Sequence, residues 1–451
     1  MNERSDIKVS RNSEPAKNAP GEERRSPGRF RRWSRRFLIA VVVLAAILLI
    51  VSRLRPTAEE ELAAIDKARA VTDENNAALI YAELVQHDEA VIRDIDAPMI
   101  RIAEAASGPM SLIEGRLLER KLAALELPAG LLRPSDEEQT LWSSWTSSQY
   151  PGLRQWISAH QKRIDQLMEA AAKPGCYFPL LHIPKRLGLY DVPLNIVRQH
   201  AFLLRRAANN DMAEGRIVAG LTKYQAIISI GRHFEAQPSR YHVLTGIACE
   251  AMGLHHLIVF AVTGPATEEE LDALAASSSD LENHWQPFRR DINRVRNAFA
   301  RTLKDHRSLK LRLYEWYMKA RYHDNGWNEG RVSELYHRVL CERRAYSIVV
   351  ALRRFKNRTG HWPEELDEIA PALDPPALID PQNGGPYVYR VDQTNGFELY
   401  SAGPDSQDDR RRQGSDDWPI WPRNGGSRRQ NPNESTTYES LNRVPIEKGT
   451  E

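Results

Sequence analysis

Leu221-Thr-Lys-Tyr-Gln-Ala-Ile-Ile-Ser-Ile-Gly-Arg-His-Phe234 is the stretch that decides the fold. Its apolar side chains recur three and four residues apart, which is typical of an amphipathic α-helix. The same spacing recurs from Glu59 to about Phe355. The sequence therefore predicts a mainly α protein. The apolar positions behind this prediction include Ile65, Leu84, Trp156, Ile164, Ile196, Leu203, Tyr224, Ile227 and Ile228.

Short breaks separate the predicted helices. Asn209-Asn-Asp211 and Gln237-Pro-Ser239 are rich in turn residues, and they delimit helices of roughly twenty residues. Because short connections make neighbouring helices antiparallel, we expect an antiparallel helical-hairpin, tetratricopeptide-like domain over residues 56–344. A self-similar period of about 34 residues with the expected Trp, Gly and Tyr positions is not found, so a true repeat array stays open.

The stretch Val243–Val262 is apolar enough to be compared with a membrane helix. It contains Glu250, His255 and His256 near its middle. Titratable groups at that depth are costly in lipid, so this stretch is interpreted as a buried helix of the bundle.

Fifteen consecutive apolar residues, Phe37 to Val51, precede the helical domain without a charge or a helix breaker. At about 1.5 Å per residue they span roughly 22 Å, less than the roughly 30 Å of a bilayer core. Arg53 and Arg55 extend the span because their side chains can reach toward water. We expect an N-terminal transmembrane helix over residues 37–54.

The charges on either side of this helix predict its orientation. Residues 1–36 hold eleven Lys and Arg against five Asp and Glu, whereas Glu59-Glu-Glu61 follows the helix. By the positive-inside rule, the N-terminus lies in the cytoplasm, and the bulk of the chain lies beyond the cytoplasmic (inner) membrane, in the periplasm. The polar residues 1–36 are predicted to be a disordered tail. A cleaved signal peptide is the alternative, although its n-region would be 36 residues long.

Composition excludes several function classes. The formal charge of +2 is not that of a nucleic-acid-binding protein. Cys176, Cys249 and Cys341 lie far apart, which excludes a zinc ribbon and a thioredoxin-like pair. Three buried thiols, or one disulfide with one thiol, both remain open. The chain lacks the zinc-protease, nucleophile-elbow, P-loop and dinucleotide-binding motifs.

Glu250, His255 and His256, with Cys249, are the remaining candidates for catalysis. On a helix His256 shares a face with Cys249, and Glu250 lies beside them, so a hydrolytic or metal site is one interpretation. The other interpretation is that these are buried histidines satisfied by a neighbouring carboxylate, which is the commoner arrangement in an apolar helix.

The chain changes character near Ala345. An amphipathic helix there runs into Thr359-Gly-His-Trp-Pro363. Two further motifs follow in order, Asp380-Pro-Gln-Asn-Gly-Gly-Pro-Tyr-Val-Tyr389 and Phe397-Glu-Leu-Tyr-Ser-Ala-Gly-Pro-Asp405. The chain then enters an acidic loop that ends in Asp416-Asp-Trp-Pro-Ile-Trp421.

Local patterns predict an α+β structure for this region. Alternating residues over Tyr387–Val391 and Phe397–Ser401, with a turn at Asp392–Gly396, predict a β-hairpin. Gly360 is placed to cap the preceding helix, and Trp362 to pack on the sheet.

In the order of these motifs, residues 345–421 resemble the globular half of the major pseudopilins of type II secretion systems. The resemblance implies a small pseudopilin-like α+β module whose last loop binds a structural calcium ion. Asp405, Asp416 and Asp417 fall where that family has its side-chain ligands, and carboxylates suit a hard cation. Arg410-Arg-Arg412 opposes a cation, so a solvated loop with Asp as turn residues is equally open.

The N-terminal helix departs from the pseudopilin pattern, because Arg36-Phe-Leu-Ile-Ala40 lacks the processing glycine and the assembly glutamate. A filament subunit is therefore not expected. The anchor, the helical middle and the C-terminal module together resemble large envelope proteins of planctomycete-type bacteria, a resemblance that implies architecture and no activity.

These observations leave three hypotheses. The first is a membrane-anchored, non-enzymatic scaffold that binds a protein partner at the cell envelope; the second is an accessory component of a type II secretion-like system; the third is an envelope hydrolase near Glu250, His255 and His256. Trp142 and Trp145 are either an exposed aromatic patch or part of the packing. Residues 422–451 are predicted to be a disordered tail.

Overall fold

The computed structural model describes residues 37–44, 56–86, 139–276, 281–305, 329–392, 396–412 and 415–423. The chain forms two compact units, Met1–Thr57 and Ala58–Glu451. In the first unit, residues 37–44 are helical and their side chains are exposed. The prediction that residues 1–36 and 422–451 are disordered falls outside the described residues, apart from 422 and 423, as does the end of the predicted membrane helix.

The described residues of the second unit are mainly helical and include one small sheet, as the sequence predicts. Its α-helices are α1 (Ala58–Arg69), α2 (Ala77–Gln86), α3 (Pro151–Ala159), α4 (Gln161–Ala172), α5 (Leu194–Ala213), α6 (Ile217–Glu235), α7 (Arg240–Thr263), α8 (Glu268–Ala276), α9 (Trp285–Asp305) and α10 (Glu329–Thr359). Helix α6 packs against both α5 and α7, and α10 packs against α7. Apolar side chains from all four helices fill one continuous core.

Helices α6 and α7 are antiparallel and unusually close. A methyl group added to Gly231 would lie 2.7 Å from Glu250 N, and one added to Gly253 would lie 2.8 Å from Tyr224 O. A later residue of α6 thus faces an earlier residue of α7, which is the pattern of an antiparallel pair. Glycines permit this approach because a β-carbon would collide with the opposing backbone.

One predicted break is confirmed and the other is wrong. Gln237 to Ser239 separates α6 from α7. Asn209, Asn210 and Asp211 do not end a helix but lie buried in the last turns of α5, which continues to Ala213. Their side chains bond to other parts of the chain, and these tertiary partners offset the poor helix propensity of the three residues.

Helix α7 is a core helix, as the sequence predicts. Among the described residues it is the one helix long and apolar enough to cross a membrane, and 78 % of its most apolar window is buried inside the protein. Its buried side chains include Glu250 and His256.

Helix α10 joins the helical bundle to the sheet. It is continuous through Ala345, where the sequence changes character, so both sides of that position belong to the same compact unit. Gly360 ends it with φ +86°, and its N–H donates to Lys356 O at 2.8 Å. The predicted glycine cap is therefore confirmed.

After α10 come three 3-10 turns, Leu366–Glu368, Ala370–Ala372 and Pro375–Leu378. The antiparallel sheet then has the order β1 (Val388–Asp392), β2 (Gly396–Ser401), β3 (Trp418–Trp421). The predicted hairpin is confirmed within one residue at each strand, and the ring of Trp362 packs 4.8 Å from that of Phe397. Strand β3 is not predicted by the sequence.

Candidate functional site

Three buried titratable side chains meet where α6, α7 and α10 pack together. Arg343 donates from Nε to Glu250 Oε1 at 2.8 Å and from Nη2 to Glu250 Oε2 at 2.5 Å. The same Nη2 donates to Glu235 Oε2 at 3.1 Å. Arg232 donates to Glu250 Oε1 at 3.1 Å from the solvent side. These residues form the Glu250–Arg343 network, which links three helices through charged hydrogen bonds.

The two carboxyls of this network differ in their titration. Burial raises the pKa of Glu250, but Arg343 and Arg232 outweigh it and bring that pKa to about 2. Burial and the neighbouring Glu250 charge both raise the pKa of Glu235 well above its usual value. Glu250 is therefore ionised at pH 7, whereas Glu235 keeps its proton to a higher pH than an ordinary glutamate does. Because Glu250 is fully buried and already holds two arginines, it is a structural group.

The histidine candidates lie in a second cluster, built around Arg205 of α5. Arg205 Nε donates to His256 Nε2 at 2.7 Å. The ring of Tyr224 stacks on His256, with centroids 4.6 Å apart and planes at 2°. Tyr224 in turn donates to Asn209 Oδ1 at 2.5 Å. We call Arg205, His255, His256, Trp142 and Arg423 the Arg205 cluster.

The hydrogen bonds fix the state of His256. It bonds to the backbone carbonyl of Leu141 through Nδ1 and accepts from Arg205 at Nε2. Burial first, then the charges of Arg205, His255 and Arg423, lower the pKa of His256 well below its usual value. The imidazole is therefore neutral at pH 7, with no nitrogen left for a substrate.

Trp142 and Arg423 complete the cluster at its outer edge. The Trp142 ring centroid lies 3.8 Å from Arg205 Cζ. The Trp142 and His255 rings are nearly perpendicular, with centroids 5.6 Å apart. Arg423 lies 3.1 Å from His255 Nδ1 and 2.7 Å from Glu342 Oε2. The two predicted tryptophans differ, because Trp142 is 48 % exposed whereas Trp145 is buried.

The hydrolase candidates are not brought together. Glu250 belongs to the Glu250–Arg343 network, and His256 belongs to the Arg205 cluster. Burial raises the pKa of the Cys249 thiol to about 12, so it is not a thiolate at neutral pH. A groove of about 400 Å³ lies between α8, α10 and the 3-10 turns, and none of these candidates lines it. Cys176, Cys249 and Cys341 are all free thiols.

The predicted calcium ligands lie in the loop between β2 and β3. Asp405 Oδ1 accepts from Gln407 N at 2.8 Å, and Asp416 Oδ2 lies 3.4 Å from Asp405 N. Asp417 Oδ2 accepts from Arg411 N at 2.6 Å. Within the described part of the chain, no three acidic, histidine or cysteine side chains are grouped closely enough to hold a metal ion.

Comparison with protein-family models, with curated proteins and with solved structures finds no match for this chain. The function therefore rests on the residues themselves. Sequence reasoning missed the arginines Arg205 and Arg343, which organise both clusters. The available signal was a charged residue at an apolar position, in Leu204-Arg205 and in Glu342-Arg343.

Proposed function

We propose that the protein is a single-pass, membrane-anchored extracytoplasmic protein that scaffolds or binds another protein at the cell envelope and does not act as an enzyme. Its anchor is the helix over residues 37–54, and its N-terminus lies in the cytoplasm. The compact helical unit that begins at Ala58 then carries the interaction surface.

The observation that carries this proposal is the exposure of residues 37–44. Every turn of this helical stretch is apolar, and the exposed fractions of its large side chains run from 46 % at Val41 to 70 % at Phe37. A helix that is apolar on all sides is stable inside a protein core or inside a bilayer. Because these apolar side chains are exposed in the part of the chain that the structure describes, the proposal assigns them to lipid.

The non-enzymatic part of the proposal is supported by the burial of these candidate groups. Glu250 and Cys249 are fully buried, and His256 is 8 % exposed with both nitrogens bonded. A general base must reach the proton that it abstracts, so these groups cannot act while the bundle stays packed. The antiparallel helices instead offer an extended surface, which helical-hairpin proteins use to bind partners.

Cysteine labelling in cells tests the location and orientation. Single variants Ser5→Cys and Ser148→Cys introduce thiols in the N-terminal tail and on the exposed surface of the helical unit. Cys249 and Cys341 are buried, and Cys176→Ser removes the half-buried background thiol. We expect a membrane-impermeant maleimide to label Ser148→Cys in intact spheroplasts and Ser5→Cys only after lysis. Labelling of Ser5→Cys alone in intact spheroplasts contradicts the orientation.

A second candidate function, an accessory component of a type II secretion-like system, rests on the resemblance of residues 345–421 to pseudopilins. A glycine-capped helix, a packed Trp362 and a hairpin in the expected order are consistent with that resemblance. Co-purification of secretion components from detergent extracts would support it, and their absence would remove it.

We also propose that the loop between β2 and β3 binds calcium through Asp405, Asp416 and Asp417. Asp417 Oδ1 is buried without a hydrogen-bond partner, and burial raises the pKa of this carboxyl, so a cation nearby would stabilise its ionised form. Calcium should raise the melting temperature of the full chain relative to chelator, and Asp417→Asn should lose that shift. Equal melting with calcium and chelator contradicts the site.

A further inference from the structure

The Arg205 cluster contains two arginines, of which Arg423 is paired with Glu342 Oε2 at 2.7 Å. Arg205 is 1 % exposed, and its Nη2 has no hydrogen-bond partner. Arg423 and His255 lie within 3.1 Å of each other at the outer edge. Arg205, His255 and Arg423 all act on His256, whose neutral ring is the centre of the cluster.

A comparison within the same protein shows what Arg205 lacks. Arg343 is equally buried, and its guanidinium is held by the carboxyls of Glu235 and Glu250. Within the described residues, Arg205 is not paired with any carboxylate, and its partners are a histidine nitrogen and an aromatic face. Burial of a charge without a counter-ion is costly, so this guanidinium lies where an incoming anion would be stabilised.

Trp142 covers the guanidinium. Its indole centroid lies 3.8 Å from Arg205 Cζ, and the residue is 48 % exposed. The backbone beneath it is held, because Asn209 Nδ2 donates to Thr140 O at 2.7 Å and to Leu141 O at 3.0 Å. A rotation of the Trp142 side chain alone would therefore uncover Arg205 without moving the helices.

We propose that Arg205, with His255 and Arg423, forms an oxyanion-binding site that Trp142 covers. The ligand is a small carboxylate or phosphate, whose oxygen takes the free Nη2 of Arg205 when the indole swings aside. A guanidinium favours such oxygens through charge-assisted hydrogen bonds. This site goes beyond the proposed scaffold function and does not depend on it.

The test uses the full chain in uncharged detergent with fluorine-labelled tryptophan. Trp142→Phe assigns the resonance of this residue, because one signal disappears. Inorganic phosphate and acetate are then titrated separately, which distinguishes the two sources of the oxyanion. We expect a saturable shift of the Trp142 resonance with at least one of them, and loss of that shift in Arg205→Met.

A matched control is Arg198→Met, which removes another arginine of α5 that lies over an aromatic ring, that of Phe202. This variant should keep the shift. Trp142→Ala removes the cover and should tighten anion binding, measured by calorimetry, by roughly five- to thirty-fold, the range expected for a lost cation–π contact. Arg205→Met should still fold, since it removes a charge that has no carboxylate partner.

Two results would overturn the anion site, and a third would overturn the role of Trp142 as its cover. The first is no response of the Trp142 resonance to either anion. The second is an equal response in wild type and Arg205→Met, which would mean that the anions act elsewhere. If Trp142→Ala binds no more tightly than wild type, Trp142 is not a cover.

Discussion

Replacement of Arg343 by Met tests whether the Glu250–Arg343 network holds the bundle together. Arg343 is 2 % exposed at its side chain and makes three hydrogen bonds to Glu250 and Glu235. Met fills much of the same volume but cannot donate. Among the described residues, Glu250 would keep Arg232 as its cationic partner, with Nε 3.1 Å away.

The expected loss is about 3–5 kcal/mol of unfolding free energy, the cost of leaving a buried charge without its partner. A matched control is Arg216→Met, which breaks the Arg216–Asp211 ion pair of 2.8 Å, where the arginine side chain is 43 % exposed. That pair should contribute less than about 1 kcal/mol, because its arginine is partly solvated and Asp211 keeps Lys223 at 2.5 Å. The expected losses of the two variants differ because Arg343 is buried and Arg216 is partly exposed.

Urea unfolding of the full chain in detergent, followed by circular dichroism at pH 7, measures both variants. The double variant Arg343→Met/Glu250→Gln adds a second check, because removal of the orphaned charge should recover about 1–3 kcal/mol of what Arg343→Met loses. The reasoning is refuted if Arg343→Met costs no more than Arg216→Met. It is also refuted if the double variant is as unstable as the two single losses added together.

Three further predictions concern the backbone and the pH. Gly246→Ala places a methyl group 2.5 Å from Glu235 N, so α6 and α7 must separate and the unfolding free energy should fall by about 3 kcal/mol. A loss under about 1 kcal/mol in urea unfolding contradicts the close approach. Gly360→Ala meets no atom within 4 Å but forces φ +86° on alanine, so backbone strain alone should lower the unfolding free energy by roughly 1 kcal/mol. An unchanged urea midpoint would falsify the left-handed helix end at this residue. Burial lowers the pKa of His242 to about 4, so the unfolded state binds the extra proton below pH 6.5 and stability falls from there to pH 4 by up to about 3 kcal/mol. His242→Phe should flatten that part of the pH profile, and an unchanged slope speaks against it.

Local patterns predicted the elements whose physics is local. The alternation around Tyr389 and Phe397 specifies strands wherever they pair, and Gly360 is the residue type that a left-handed helix end requires. The ionisable Glu250 predicts that α7 lies in the core and not in lipid, and in the core the charge of Glu250 is paired with Arg232 and Arg343.

Elements that depend on distant partners could not be predicted. Asn209 and Asn210 are typical of a break, yet they remain helical because their amides bond to Thr140, Leu141 and Trp145 carbonyls far along the chain. Strand β3 contains Pro419, which argues against a strand in isolation and is tolerated here at a sheet edge.

The Glu250–Arg343 network and the Arg205 cluster also depend on residues that are distant in the sequence. Arg343 is 93 residues from Glu250, and Arg205 is 51 residues from His256, so no spacing in the sequence pairs them. Only the packing of α5, α6, α7 and α10 brings these side chains together. The sequence could name Glu250 and His256 as unusual, but their roles are decided by which arginine each one meets.

The most direct test of the central claim is the fate of the anchor. A chain with one tag before residue 1 and another after residue 451 is expressed, and its membranes are washed with alkaline carbonate. We predict that both tags stay in the membrane pellet on one species of full mass, about 51.4 kDa plus the tags. Release of a shorter species that carries only the C-terminal tag would contradict the uncleaved anchor and with it the proposed function.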